Sequence, residues 1–275
     1  MVESPTVFAP GLFQSQTALV TGGGRGLGRA IALGFARLGA NVVIAGRTEE
    51  TLRATQVDLD ALSVGTLALP TNIREVEQVE RLVASAIERF GQIHFLVNNA
   101  GGQFPARPSE ISDRGWRAVV DLNLNGTWNL LSRVGPHMLD GKFGAIVNIV
   151  HIYSFERGSP GFAHSGAARA GVVSLTRSLA YYWARHNVRV NALAPGMIDT
   201  SGMRKEELDP MGGEGFLPTL LRDIPAHRMA TAEEIADIVL FLCSPAAAYI
   251  NGAAIVADGA QYFAGWPPSW DVEQP

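Results

Sequence analysis

The sequence predicts an α/β fold: a doubly wound parallel sheet of Rossmann type, in a single domain. Three observations lead there. Strand-like and helix-like stretches alternate from residue 16 to about residue 258 without a repeat or a low-complexity linker. Most of the strand-like stretches are continuously apolar rather than alternating, which is the pattern of parallel strands covered on both faces. The first of them runs into glycines that open a helix, an order that aims backbone N–H groups and a helix dipole at an anion. Sheets of this kind bind their ligands at the carboxyl ends of the strands.

Taken in order, residues 1–14 carry no periodic pattern and are expected to form a loose N-terminal arm to a domain spanning 15–275. The run Thr17–Thr21 is a strand, followed by glycines and by a helical pattern over 27–39 in which Ala30, Ile31, Phe35 and Leu38 share one face. Further strands are expected at 41–45, 66–70, 94–98, 144–150, 188–193 and 253–257, and further helices at 48–62, 74–90, 111–138, 163–186 and 231–244. Residues 200–228 interrupt the alternation. Glycine-rich and charged, with scattered apolar residues and placed just after a strand, they are expected to form a mobile lid over a pocket.

Composition excludes several classes of function. A chain of 275 residues with 47% hydrophobic and 17% charged residues buries one large core. The net charge of −4 gives no basic surface for nucleic acid. One cysteine, Cys243, allows no intrachain disulfide and suits a reducing compartment. The six histidines have no ligand spacing, so no metal site is expected. No signal-peptide pattern opens the sequence and no apolar run reaches the length of a membrane span, so a cytoplasmic protein without membrane contact is expected.

The glycine loop reads Gly22-Gly23-Gly24-Arg25-Gly26-Leu27-Gly28, a G-x-x-x-G-x-G spacing after Thr21 rather than the six-residue dinucleotide fingerprint. The second strand ends at Gly46-Arg47, where a fold preferring NAD usually has an acidic residue for the ribose 2′-hydroxyl. Arg47 and Arg25 are instead two guanidiniums suited to a 2′-phosphate, whose oxygens accept a planar fork of donors. The expected cofactor is NADPH.

Farther on stand Asn98-Asn99-Ala100-Gly101 and Pro195-Gly196-Met197-Ile198-Asp199-Thr200. With T-G-x-x-x-G-x-G these motifs, in this order and spacing, resemble the short-chain dehydrogenase/reductase family over nearly the whole chain, through Val256-Ala257-Asp258-Gly259. The resemblance implies that Asn99, Ala100 and Gly101 line the adenosine side, with Asn72 and Ile73 near the adenine. It implies that Pro195, Gly196, Ile198 and Thr200 border the nicotinamide and pyrophosphate. It also implies a homotetramer built through the 111–138 and 163–186 helices.

The family's catalytic pattern is broken. Aligned on Ala170-Gly171-Val172, the usual Lys is Arg169, the usual Tyr is Ser165, and the usual Ser falls near Val150 or His151. A serine hydroxyl is far too weak an acid to replace a phenol, and Arg does not exchange protons near neutral pH. A subgroup with a rearranged set looks similar here: Tyr153, Arg169-Ala-Gly-Val and Leu208-Asp209-Pro210 resemble the 2,4-dienoyl-CoA reductases, and the runs around Asn99 and Arg169 resemble the peroxisomal trans-2-enoyl-CoA reductases. That likeness implies reduction of the C=C bond of an α,β-unsaturated thioester, on CoA or on a carrier protein. Negative charge then builds on the thioester oxygen and needs hydrogen-bond donors already in place.

Candidate donors are Tyr153 and an Asn amide, with His151 as a second donor or general acid, and with water as another source of the proton to carbon. By the same resemblance Asn125 is favoured for substrate contact and Asn123 for architecture, and Arg169 is expected to hold the ribose hydroxyls. Two rivals stand beside this expectation: a carbonyl reductase or alcohol dehydrogenase with a displaced acid, and a catalytically silent NADPH-binding protein.

Overall fold

The computed structural model describes residues 7–152, Ser154, Gly158 and 161–263, apart from the side chains of Glu206, Glu207 and Met211. The chain runs β1 (Thr17–Thr21), α1 (Gly26–Arg37), β2 (Asn41–Gly46), α2 (Glu49–Asp60), β3 (Thr66–Pro70), α3 (Val76–Phe90) and β4 (Phe95–Asn98). It continues through α4 (Asp113–Val120), α5 (Gly126–Asp140), β5 (Gly144–Ile149), α6 (Ala163–Trp183) and β6 (Val188–Pro195). The short helices α7 (Ser201–Met203) and α8 (Leu217–Arg222) precede α9 (Ala232–Cys243) and β7 (Ala254–Ala257).

The strands form one seven-stranded sheet in the order β3-β2-β1-β4-β5-β6-β7, with every neighbouring pair parallel. This is the doubly wound Rossmann-type fold that the sequence predicts. Its strand order reverses between β1 and β4, which opens a crevice at their carboxyl ends.

Burial on both faces explains the unbroken apolar runs. In β1, Ala18 and Val20 pack with Ile31 and Phe35 of α1 and Val239 and Leu240 of α9. Leu19 points the other way, into a second layer with Val79 and Leu82 of α3 and Leu130 and Val134 of α5. Alternate residues thus feed two cores, as the period of a strand requires. A capping box starts α9: the Thr231 hydroxyl accepts the Glu234 N–H at 3.1 Å and the Glu234 carboxylate accepts the Thr231 N–H at 2.9 Å.

Two elements differ from the sequence expectation. The 111–138 helix is divided, because Asp121–Asn125 form a wide turn between α4 and α5 in which the Gly126 N–H bonds back to the Asp121 carbonyl, five residues away. The expected arm is anchored at its far end. Phe13 is fully buried, its ring centroid 5.2 Å from Phe35 and 4.9 Å from Phe95, so an apolar side chain without local periodicity still belongs to the core.

Candidate active site

The first half of the site is the glycine loop between β1 and α1. Gly22 has φ of +69° and Gly26 of +51°, backbone that L residues rarely adopt. Gly28 has another reason: a Cβ there would stand 2.2 Å from the Gly22 carbonyl oxygen, so only hydrogen allows the helix to start so close to the strand. Thr21 ties the loop to β4. Its hydroxyl accepts the N–H groups of Asn99 and Ala100, both at 3.0 Å, and the Asn99 amide returns a bond to the Thr21 carbonyl at 2.9 Å.

The result is a cleft of about 430 Å³ at the switch point. Gly22, Gly24, Arg25, Gly26, Leu27 and Gly28 form one wall. Arg47, Asn72, Ile73, Asn99, Ala100, Gly101 and Thr200 of the expected cofactor residues also line it. The cleft fits a dinucleotide, because the glycines leave the start of α1 bare of side chains where backbone N–H groups can meet phosphate.

A second cleft, of about 250 Å³, adjoins the first and shares Leu27, Asn99, Gly101, Thr200 and Gly202 with it. Pro195, Gly196 and Ile198 from the end of β6 form one side, and His151 and Arg169 form another. Arg169, on the first turns of α6, donates from Nη1 to the Ile149 carbonyl at 2.7 Å. Its Nη2 would lie 2.5 Å from a Cβ on Gly101, and the Asn123 Oδ1 would lie 2.7 Å from the same point. A glycine at 101 therefore lets the guanidinium and the amide close over the backbone. Burial and then the Arg169 charge push the His151 pKa from 6.5 down to about 4, so its imidazole is neutral at neutral pH.

The two asparagines part company. Asn123 is buried and donates from Nδ2 to the carbonyls of Gly102 and Val119, both at 2.8 Å, while its Oδ1 accepts the Gly102 N–H at 3.3 Å. It fastens the loop after β4 to the wide turn. Asn125, favoured from the sequence for substrate, is exposed and donates to the Asp121 carboxylate at 2.8 Å. It lines a surface groove with Arg74 and Glu75, away from the cleft that holds His151 and Arg169. Residues two apart on a helical turn face nearly opposite sides, so Asn123 and Asn125 do not share one cleft. The structure therefore does not bring Asn125, favoured for substrate, together with His151 and Arg169.

Arg204 is engaged as well: it bonds both carboxylate oxygens of Asp199 at 2.7 and 3.0 Å, and it bonds Glu214. It holds the start of the 200–228 segment together. Thr200, Gly202 and Met203 of that segment line the second cleft. Ser165, at the family's Tyr position, is fully buried, and its Oγ meets no partner among the described residues. Tyr153 lies outside the described residues.

Sequence reasoning missed several lining residues. Thr48, Thr51 and Thr71 border the first cleft, and Gln103, Met197 and Gln261 the second. Gln261 stands two residues after the recognised Asp258-Gly259 pair, which was its available signal.

The residues 22–260 match the protein family described as enoyl-(acyl carrier protein) reductase. The chain belongs to the short-chain dehydrogenase/reductase family. Among its relatives is a probable 2,4-dienoyl-CoA reductase, (2E)-enoyl-CoA-producing, of Bacillus subtilis, 34% identical over 92% of this chain and 99% of the relative. The 3-oxoacyl-[acyl-carrier-protein] reductase FabG of Thermotoga maritima is 33% identical over 90% of this chain and 97% of the relative. A solved citronellol catabolism dehydrogenase, AtuB of Pseudomonas aeruginosa, is 38% identical and superimposes with a TM-score of 0.81, covering 94% and 99% of the two chains. The chain is thus an oxidoreductase of a family that uses a nicotinamide cofactor. Among the described residues, no helix is long and apolar enough to cross a membrane, and no cluster of His, Cys, Asp and Glu is arranged for a metal.

Proposed function

We propose that the protein reduces the C=C bond of an α,β-unsaturated acyl thioester, carried on CoA or on a carrier protein, with NADPH as reductant. The observation that carries this reading is the second cleft. Where the family's carbonyl chemistry needs a phenol beside a lysine, the cleft of this chain offers an arginine and a neutral imidazole, and the serine at the phenol's position is buried outside the cleft lining. The arginine and the imidazole can donate to a thioester oxygen that holds enolate charge while hydride goes to the alkene carbon, a step that needs no strong acid to turn that oxygen into an alcohol. The likeness to a dienoyl-CoA reductase supports the same chemistry.

The choice of NADPH is supported by Arg25 and Arg47 on the wall of the first cleft and by the absence of a carboxylate at Gly46. Leu27, Pro195, Gly196, Ile198 and Thr200 orient the nicotinamide end, and Arg169 holds the ribose. A bound reduced nicotinamide supplies the hydride. His151 N–H, with Tyr153 O–H as its companion, donates to the thioester oxygen, and Asn123 fixes the loop against which the substrate rests. A neutral imidazole keeps a donor N–H without adding a proton to the enolate prematurely. Water delivers the proton to carbon, and the 200–228 segment closes over the reacting pair as a lid. The protein works as a cytoplasmic homotetramer formed through α4, α5 and α6, a reading supported by the exposed rings of Trp128, Tyr181 and Tyr182.

The likeness to FabG favours a second reading, reduction of a 3-oxoacyl thioester with a displaced acid. NADPH oxidation against crotonyl-CoA, a 2,4-dienoyl-CoA, a cyclohexenylcarbonyl-CoA, acetoacetyl-CoA and simple ketones separates the two. Turnover of an alkene thioester, strongly reduced in Tyr153→Phe, is expected. Turnover limited to the oxo compounds would give the second reading the field, and binding without any turnover would leave a silent NADPH-binding protein.

A further inference from the structure

The segment after β7 carries a polar group that no part of the account above uses. Gln261 is only 5% exposed, lines the second cleft, and its Oε1 is buried with no hydrogen-bond partner among the described residues. That oxygen would stand 2.9 Å from a Cβ on Gly196, so it lies against the glycine that follows Pro195. A buried acceptor left open is costly, and it marks a place where something else supplies the donor.

The side chain is held there deliberately by its turn. The Asp258 carboxylate accepts the N–H of Ala260 at 2.9 Å and that of Tyr262, and the Asp258 carbonyl accepts the Gln261 N–H at 3.1 Å. Gly259 and Ala260 both take positive φ, +62° and +70°, to make the bend. The Ala226 N–H bonds the Gly259 carbonyl at 3.2 Å, which joins the turn to the end of the 200–228 segment. A strained alanine and two carboxylate bonds hold one amide in the lining of the cleft, against Gly196.

We propose that Gln261 is a cofactor-binding residue that pairs with the carboxamide of the nicotinamide ring. This rests on the dinucleotide half of the function proposed above and not on the identity of the acyl group. The reacting end of an unsaturated thioester presents only acceptors and leaves the Gln261 oxygen unanswered. The nicotinamide carboxamide presents an N–H₂, and its own oxygen takes the Gln261 N–H₂ in return. Because one carboxamide complements another, the pairing holds whichever way the Gln261 amide is turned. The amides of a pantetheine arm offer the same N–H, but they lie beyond the thioester, toward the mouth of the site, whereas Gln261 sits against Gly196.

The test is calorimetric titration of the full-length protein with NADP⁺ and with its 3-acetylpyridine analogue, in which a methyl group replaces the amide nitrogen. One neutral hydrogen bond predicts that wild type favours NADP⁺ over the analogue by roughly fivefold to tenfold. In Gln261→Met the ratio falls to about one. In Gln261→Glu, which keeps an acceptor oxygen, the ratio survives, and this variant decides the matter should Gln261→Met fail to fold. An unchanged ratio in Gln261→Met, or a lost ratio in Gln261→Glu, overturns the proposal. So does weakened acyl-CoA binding with an intact dinucleotide ratio, which would assign Gln261 to pantetheine. Titrating the NAD⁺ pair in parallel keeps the two readings apart: tighter binding of NAD⁺ would refute the 2′-phosphate preference while leaving the carboxamide ratio as the measure of Gln261.

Discussion

Replacing His151 with glutamine has a pH signature that can be worked out in advance. Burial and the Arg169 charge hold the folded-state pKa near 4, against 6.5 for an unhindered histidine. As pH falls through about 6.5 the unfolded chain takes up a proton that the folded chain refuses, so stability is lost on acidification and is fully present above that value. At about pH 5 roughly 97% of unfolded histidines are charged against roughly 9% of folded ones, which makes the penalty about 2 kcal/mol. At about pH 7.5 it is under ~0.1 kcal/mol.

Urea unfolding of wild type and His151→Gln at both pH values measures the difference. The variant should lack this loss and gain about 2 kcal/mol relative to wild type on going from the higher pH to the lower. The rate should follow the same group: wild-type turnover stays flat as pH falls from 7.5 to 5, because the imidazole remains a neutral donor. Equal pH dependence of stability in both proteins, with an activity limb near pH 6.5, would refute the claim that His151 is buried and neutral beside Arg169.

Three further outcomes follow from distances in the site. Gly28→Ala puts a methyl group against the Gly22 carbonyl, backbone against backbone, and should abolish measurable dinucleotide binding by calorimetry while costing about 1–3 kcal/mol of stability. Arg47→Asp should weaken NADPH binding by roughly tenfold to a hundredfold and improve NADH, as titrations of both cofactors would show. Asn123→Ala removes two buried donor bonds and should cost about 2–4 kcal/mol in urea unfolding, whereas Asn125→Ala should change neither stability by more than ~0.5 kcal/mol nor substrate KM.

The sheet was legible because its strands are buried on both faces. Ala18, Leu19 and Val20 are all apolar since each faces a core, and no solvent face had to be inferred. The first cleft was legible for another reason: close backbone approach admits only glycine, so Gly22 and Gly28 record geometry in the sequence itself. The wide turn at Asp121–Asn125 left no such record, since a five-residue hydrogen bond demands no special residue. It decides which asparagine faces inward: Asn123 ties the loop after β4, while Asn125, favoured for substrate by resemblance, bonds Asp121 at the surface. Phe13 escaped notice because its partners Phe35 and Phe95 come from distant elements. Gln261 escaped because a polar residue near a chain's end reads as surface until the turn made by Asp258 buries it.

In the proposed reaction hydride reaches a carbon of a thioester-conjugated alkene. A single turnover of crotonyl-CoA with NADPH carrying deuterium at the transferred position tests it most directly, with the product read by mass spectrometry and NMR. The proposed reduction yields butyryl-CoA bearing one deuterium on a chain carbon, with the oxygen still in its thioester carbonyl. Crotonyl-CoA and other alkenyl thioesters returned unlabelled, beside acetoacetyl-CoA converted to a deuterated hydroxyacyl product, would contradict it.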